Sequence, residues 1–290
     1  MTSFLVQRTL GILALVAIAS APVADHAEAA DELDLYMVMT MAGVTAGSIK
    51  LSVDEQESET ISKLSMKSQG LFKFLTGYKS RAVAHSSNGV DSSPAMPLRY
   101  ESTYEAKSGE RRVEIRYDDQ TGDIGSLGSW KRGKPRKTKV SAALQAGTVD
   151  PLTAMVRFRH WIRELRGDVG LQRIGHVETV SKTQVFDVFD GRRRYRLSID
   201  LLERLEASPT GFSVPALRFR VELETLAGFG KNDMLANWSS EDGQRWIDVV
   251  VSDENSPIPI SMSTIGGGLK TDIQTRKICR GEDHCRKVSH

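Results

Sequence analysis

The densest group of charged side chains in the sequence is a basic run near its middle. The six cations of this run lie within nine residues and are Lys131, Arg132, Lys134, Arg136, Lys137 and Lys139. Such a density attracts the anionic groups of lipid head groups, lipopolysaccharide phosphates or other anionic polymers. The alternative is a solvated loop that its charge keeps soluble. If the run binds an anionic head group, we expect Lys131, Arg132 and Arg136 to lie nearest to it.

A second basic cluster follows a predicted tight turn at Asp190-Gly191. Its arginines are Arg192, Arg193, Arg194 and Arg196, which stand beside or alternate with Tyr195 and Leu197. Alternation of this kind is typical of a hairpin with one face in water.

The two cysteines, Cys279 and Cys285, are separated by five residues that include a glycine. In an oxidising compartment this spacing favours a small disulfide loop. Metal binding through both cysteines and His284 is a weaker alternative, because the spacing does not match zinc sites and a fourth ligand is missing. The spacing also differs from the C-x-x-C of thiol oxidoreductases. We predict a structural disulfide, no metal site and no cofactor.

Sequence motifs of enzymes are missing. The chain has no H-E-x-x-H, no P-loop and no Gly-rich dinucleotide motif, and residues 125–129 (GSLGS) only approach a nucleophile elbow. His85, His160 and His176 have no neighbours in the sequence that resemble metal ligands. We predict a protein without catalytic activity and therefore no catalytic residues.

The first residues have the pattern of an export signal. Arg8 precedes an apolar segment at 10–19, and Ala27-Glu28-Ala29 is typical of a cleavage site. An uncleaved anchor is the alternative, although the apolar segment is shorter than the roughly 20 residues of a spanning helix. We predict a signal peptide at 1–29 and a periplasmic mature chain at 30–290 that does not span the membrane. Export removes the protein from nucleic acid, and the formal charge of +2 has no nucleic-acid signature.

Alternation of apolar and polar residues dominates the rest of the chain and predicts antiparallel strands. The predicted hairpins pair 33–41 with 48–53, 98–106 with 111–117, and 185–189 with 195–201, and further strands are expected at 217–223, 246–251, 258–262 and 269–273. The Gly-rich and basic stretch at 122–139 is expected to be a long exposed loop.

One helix is expected between Asp150 and Gly167. Asp150 is a good N-cap, Pro151 suits the first helical position, and apolar residues recur at helical spacing. We expect this helix to cover the sheet. A shorter apolar cluster at 71–75 fits either a helical turn or a bent strand. If the protein has an apolar pocket, we predict that its lining is Phe72, Phe74, Phe158 and Trp161.

Four segments resemble a known family when their order and spacing are considered together. They are 36–47 with Gly43 and Gly47, 97–100 (PLRY), 149–154 (VDPLTA) and 189–195 (FDGRRRY). They are similar to the exported bacterial family of domain of unknown function 3108, over roughly residues 35–201. The resemblance implies a periplasmic, β-rich protein without an established activity. The architecture is also similar to that of lipoprotein carriers, in which a half-barrel holds an acyl chain under a helical lid.

Together these observations predict a mainly β fold. We expect residues 30–290 to form a single domain, a curved antiparallel sheet or partly open barrel with one main covering helix. The predicted function is non-enzymatic support of the cell envelope, with an apolar or lipidic ligand bound against the sheet. Two alternatives stay open: a scaffold that pairs with another envelope protein through a strand edge, and a hydrolase of an envelope polymer.

Overall fold

The computed structural model describes residues 31–88, 94–107, 109–167, 182–206, 214–230, 246–266, 269–281 and 284–288. The predicted export signal lies outside these ranges. The strands are β1 (Asp31–Met41), β2 (Val44–Glu55), β3 (Glu59–Ser68), β4 (Lys79–Ser87), β5 (Pro97–Ala106), β6 (Gly109–Tyr117), β7 (Ile124–Lys131), β8 (Lys134–Pro135), β9 (Thr183–Phe189), β10 (Arg194–Leu205), β11 (Ala216–Ala227), β12 (Trp246–Ser252), β13 (Pro259–Gly266), β14 (Leu269–Arg280) and β15 (His284–Lys287). The helices are α1 (Gly70–Thr76), α2 (Ala142–Gln145) and α3 (Pro151–Gly167).

All of these strands belong to one antiparallel sheet. Their order is β8-β7-β6-β5-β4-β3-β2-β1-β14-β13-β12-β11-β10-β9. Strand β15 pairs with residues 277–280 of β14, beyond the part of β14 that pairs with β13. The predicted hairpins correspond to β1–β2, β5–β6 and β9–β10 and are confirmed. The predicted curved antiparallel sheet is confirmed as well, and among the described strands its two edges, β8 and β9, do not pair to close a barrel.

Because neighbouring strands run in opposite directions, every odd-numbered strand from β1 to β13 ends on the same side of the sheet. We call this side the odd rim. It carries the β1–β2, β5–β6, β7–β8 and β9–β10 turns, the β13–β14 connection, the end of β11, and α1 between β3 and β4. The odd rim therefore collects segments that are far apart in the sequence.

The sheet coils until the β9–β10 turn reaches the inner face of β6. Gly191 lies against Val113 so closely that a β-carbon on Gly191 would be 2.1 Å from the Val113 Cγ1 atom. Its φ of +85° also favours glycine. Gly228, at the end of β11, similarly leaves no room for a side chain beside the Arg192 carbonyl oxygen. These contacts fix how tightly the sheet is coiled.

Helix α3 lies inside the curve of the sheet and begins as predicted. Asp150 Oδ1 accepts hydrogen bonds from the backbone N–H groups of Leu152 (3.0 Å) and Thr153 (2.9 Å). At the other end of α3, the Arg163 guanidinium binds both Glu55 carboxylate oxygens at 2.9 and 2.6 Å. The buried Arg159 contacts the same carboxylate at 2.7 Å. Just before α3, the backbone N–H of Val149 bonds to the Asp187 carbonyl oxygen of β9 at 3.0 Å, so the helix is attached to the sheet at both ends.

The predicted exposed loop at 122–139 is wrong, because this stretch contains β7 and β8. Strand β7 pairs with β6 along its length. Gly128 lies beneath the Trp130 ring, so that a β-carbon on Gly128 would be 2.2 Å from the ring. The strand is held by main-chain pairing rather than by an alternating apolar pattern. Strands β3 and β4 were not anticipated from the alternation either, and the apolar cluster at 71–75 is helical.

Cys279 and Cys285 face each other in β14 and β15 and form a disulfide. Both sulfur atoms are therefore occupied, which removes the alternative of a metal site at this pair. No helix in the described ranges is long and apolar enough to cross a membrane.

Candidate functional site

A cleft of about 420 Å³ opens at the odd rim and is lined mainly by cations. Its lining residues are Arg111, Ser129, Trp130, Lys131, Arg136, Lys137, Thr138, Lys139, Arg192, Gly228 and Gly230. Six of these eleven are lysine or arginine, and none of them is acidic. We call this site the basic cleft.

Three parts of the sheet build the basic cleft. Arg111 and Lys131 are cross-strand partners in β6 and β7, next to the odd rim. The backbone N–H of Arg136 bonds to the Ser129 carbonyl oxygen at 2.8 Å, which directs the chain after β8 along the cleft. Arg192 arrives from the β9–β10 turn when the sheet coils. The cleft exists because coiling joins strands from opposite edges of the sheet.

Arg192 differs from the other arginines of its cluster. Arg193 pairs with Asp190 at 2.7 Å, and Arg194 and Arg196 both pair with Asp187, at 3.3 and 2.9 Å. These pairs fit the wet hairpin face that the sequence predicts. Arg192 forms no ion pair within the described part of the chain, and it is instead partly withdrawn from solvent. Burial lowers the pKa of Arg192, and the charge of Arg111 lowers it further.

This arrangement can bind an anion. Cations that burial and mutual repulsion destabilise gain the most when a negative charge enters between them. Arginine guanidinium groups match phosphate and carboxylate geometry, and lysine adds mobile charge. The hydroxyl groups of Ser129 and Thr138 add hydrogen-bonding capacity. Trp130 also lines the cleft, and the Arg112 guanidinium lies 5.5 Å from the centre of its ring.

The structure brings two of the three predicted head-group cations, Lys131 and Arg136, into the basic cleft. The third, Arg132, lies in an adjoining depression of about 270 Å³ with Trp130. Sequence reasoning missed Arg111 and assigned Arg192 to a solvated face. The only sequence signal for both was their position beside hairpin turns.

The predicted apolar lining residues of α3 are partly buried and pack against the core, and Trp161 also lines an open cleft beside α3. The Phe158 and Trp161 rings pack on Phe219 of β11, with ring centres 5.1 and 5.8 Å apart. The apolar space beside Phe158 measures about 40 Å³. Ligand pockets usually measure roughly 300–1,000 Å³, so this space is too small for an acyl chain. Phe158 is a packing residue in this structure.

The other two predicted lining residues lie in α1 on the odd rim. Phe72 is half-buried and Phe74 is 75% exposed. Helix α1 packs against β2 and β3, far along the sheet from Phe219 on β11. The four predicted aromatic residues therefore do not form one pocket.

A larger cleft of about 750 Å³ lies beside α3 and has mixed charge. It includes His160, whose pKa is lowered by burial and by the nearby Arg163 charge. Ser198 lines the same cleft, but the two side chains form no hydrogen bond. Asp150 has a pKa raised to about 6 by burial, but it is fully buried as the cap of α3. Among the residues that the structure describes, the perturbed carboxyl group of Asp150 therefore lies outside the cleft that His160 and Ser198 line.

Comparison with known proteins gives the family. The model of a family described as protein of unknown function (DUF3108) matches residues 35–274. The chain belongs to this family. The DUF3108 match confirms the resemblance found in the sequence and extends it from the first hairpin to β14. It also covers every element of the basic cleft.

A solved structure is similar to this DUF3108 chain at low sequence identity. The structure is a crystal structure of a beta-barrel-like protein of domain of unknown function DUF1849 from Brucella abortus. It is 10% identical, with a TM-score of 0.46 over 87% of this chain and 98% of the other. No curated protein matches this chain.

Proposed function

We propose that this DUF3108 protein is an exported, non-catalytic protein that binds an anionic component of the cell envelope in its basic cleft. The ligand class is a phosphorylated or carboxylated group about the size of a lipid head group or a sugar phosphate. The export signal read from residues 1–29 supports the location, and the basic cleft supports the ligand class.

One observation carries the proposal. The partly buried Arg192 is held next to Arg111, and four further cations surround them without a carboxylate in the lining. Two guanidinium charges that line one cleft repel each other, and this repulsion lowers the stability of the empty protein. A bound dianion removes that repulsion. The volume of about 420 Å³ lies within the range of small-molecule sites.

The composition of the cleft supports binding rather than catalysis. Its described lining supplies cations and two hydroxyl groups, besides Trp130 and two glycines. Acid–base chemistry needs a group that exchanges protons near neutral pH, such as histidine or a carboxylate, beside the reacting atoms. The described lining contains neither type.

Isothermal titration calorimetry with soluble probes tests the proposal. The probes are fructose 1,6-bisphosphate, glucose 1-phosphate and, as the neutral comparison, glucose. We expect affinity to rise with the number of phosphates and to fall as salt is added, because salt screens charge. The double variant R111Q/R192Q should lose at least tenfold in affinity for the bisphosphate.

The matched control is R116Q. Arg116 lies on the same strand, β6, but is exposed and does not line the cleft. This variant should bind the bisphosphate as the wild type does. A loss in R116Q of half or more of the binding free energy lost in R111Q/R192Q would show that net charge alone governs binding, because R116Q removes one charge and the double variant removes two. Equal binding of glucose and the bisphosphate would also overturn the proposal.

A further inference from the structure

The exposed apolar side chains of this protein are concentrated on the odd rim. Eight large apolar side chains are exposed in the described part of the chain, and six of them lie on this rim. These six are Val44, Leu71, Phe74, Leu75, Leu226 and Ile265. Monomeric soluble proteins rarely group exposed apolar residues in this way unless the surface makes contact with a partner or a membrane.

Helix α1 contributes the most exposed members of this set. Leu71, Phe74 and Leu75 are 63%, 75% and 56% exposed, and α1 has no buried residue. A seven-residue helix is not stable in water by itself. Here main-chain bonds hold both ends: the Gln69 N–H bonds to the Ala46 carbonyl oxygen, and the Lys107 N–H bonds to the Thr76 carbonyl oxygen. The fold thus fixes α1 without burying Leu71, Phe74 or Leu75.

Neighbouring segments continue the apolar surface and surround it with lysines. The backbone N–H of Ala42 bonds to the Lys270 carbonyl oxygen, which joins the β1–β2 turn to the start of β14. The Lys107 ammonium lies 5.1 Å from the centre of the Phe74 ring. Lys67 and Lys73 are exposed beside it, and neither forms an ion pair in the described structure. The surface is therefore apolar at its centre and positive at its edge.

We propose that this part of the odd rim docks on the surface of an anionic lipid bilayer. Leu71, Phe74 and Leu75 would enter the head-group region, and the lysines would contact anionic head groups. Apolar side chains flanked by cations are the pattern of proteins that lie on such membranes. The apolar residues also stand on successive turns along one rim, as contact with an extended surface requires. This proposal does not depend on the basic cleft, which soluble probes test separately.

Vesicle sedimentation tests the proposal. Vesicles of phosphatidylglycerol and phosphatidylcholine in equal parts are compared with vesicles of phosphatidylcholine alone. We expect the wild type to bind the anionic vesicles at least tenfold more tightly, with weaker binding at high salt. L71S/F74S should bind the anionic vesicles at least tenfold more weakly than the wild type.

The matched control is V185S, since Val185 is an exposed apolar residue (47%) near the start of β9, at the end of that strand opposite the odd rim. It should bind vesicles as the wild type does. L71S/F74S should also keep the wild-type melting temperature and the wild-type affinity for fructose 1,6-bisphosphate, which separates membrane docking from ligand binding.

Fluorescence locates the contact. In the variant F74W, lipids brominated on their acyl chains should quench the added tryptophan more than they quench the four native ones. No binding of the wild type to anionic vesicles would overturn the proposal. Self-association of the wild type that L71S/F74S abolishes, without vesicle binding, would assign the surface to a second copy of the chain instead.

Discussion

Gly191 lies directly against the side chain of Val113, with the space for a β-carbon occupied by the Val113 Cγ1 atom at 2.1 Å. This contact joins the β9–β10 turn to β6, which are near opposite edges of the sheet. It therefore holds Arg192 beside Arg111. The basic cleft depends on this close approach of the Gly191 backbone to the Val113 side chain.

Replacing Gly191 with alanine should destabilise the protein and weaken ligand binding together. The added methyl group overlaps Val113, and the backbone at φ +85° disfavours alanine. Overpacking and strain together should lower the free energy of unfolding by about 3 kcal/mol or more. Urea denaturation gives the stability, and calorimetry with fructose 1,6-bisphosphate gives the affinity.

The control for this change is Gly122→Ala. Gly122 has φ +70° with open space around it. The Gly122→Ala variant should lose roughly 1 kcal/mol in its free energy of unfolding, from backbone strain alone. Its affinity for fructose 1,6-bisphosphate should not change. If Gly191→Ala behaved like Gly122→Ala in both measurements, the sheet would not be held by this contact.

The carboxylate of Glu55 should be essential for the position of α3. Arg159 has a side chain only 5% exposed, and Glu55 neutralises it at 2.7 Å. Glu55→Gln leaves a buried cation without its counter-charge, and we expect the free energy of unfolding to fall by about 3–5 kcal/mol. Urea denaturation measures the loss.

Glu105→Gln is the comparison. Its pair with Lys79 is 3.9 Å long and exposed on both sides. We expect the free energy of unfolding of Glu105→Gln to lie within about 0.5 kcal/mol of the wild-type value. A loss in Glu55→Gln no larger than in Glu105→Gln would contradict the structural role of the Glu55 ion pairs.

The cap of α3 should make stability depend on pH. Burial raises the pKa of Asp150 from 3.8 to about 6, so the folded protein holds this proton over a range in which the unfolded chain has released it. The resulting stabilisation is complete below about pH 4 and is lost as pH rises through 6. The asparagine of the Asp150→Asn variant does not titrate. Relative to this variant, the free energy of unfolding of the wild type should fall by roughly 3 kcal/mol between pH 4 and pH 7. A constant difference between the two proteins across this range would contradict the pKa assignment.

The disulfide should contribute modestly to stability. Cys279 and Cys285 close a short loop in β14 and β15, and short loops restrict the unfolded chain only slightly. The double variant with alanine at both positions should have a free energy of unfolding about 2 kcal/mol below the wild-type value. Its far-ultraviolet circular dichroism should match that of the wild type. Reduction of the wild type should produce the same loss. Collapse of the whole fold would show that the disulfide organises more than this edge of the sheet.

Sequence patterns predict the local structure of this fold better than its coiling. Asp190-Gly191 identifies a hairpin because the turn needs its residue types, and Asp150-Pro151 identifies the start of α3 for the same reason. Strand β7 was not predicted, because its glycines and serines do not alternate with apolar residues. The strand pairs through its main chain, and the Trp130 ring fills the space over Gly128. No periodic pattern records that arrangement.

The basic cleft, too, could be predicted from the sequence only in part. The basic run points to Lys131 and Arg136, which do line the basic cleft. Arg111 and Arg192 are 81 positions apart in the sequence, from 111 to 192, and meet only because the sheet coils. The four aromatic residues predicted to line one pocket lie in two separate helices, α1 and α3. Their residue type predicts that they make apolar contacts, but it does not predict which residues they contact. Tertiary coiling is a property of the whole sheet, so local patterns do not contain it.

Native mass spectrometry of the mature chain, 30–290, tests the central claim most directly. Wild type and R111Q/R192Q would be purified gently from the periplasm of cells that export them, each with a denaturing run beside the native one. We predict a mass excess in the wild type that disappears on denaturation, belongs to a phosphorylated or carboxylated compound and is absent from the variant. A wild type without bound mass, or the same bound compound in both proteins, would contradict the assignment of the basic cleft as the ligand site.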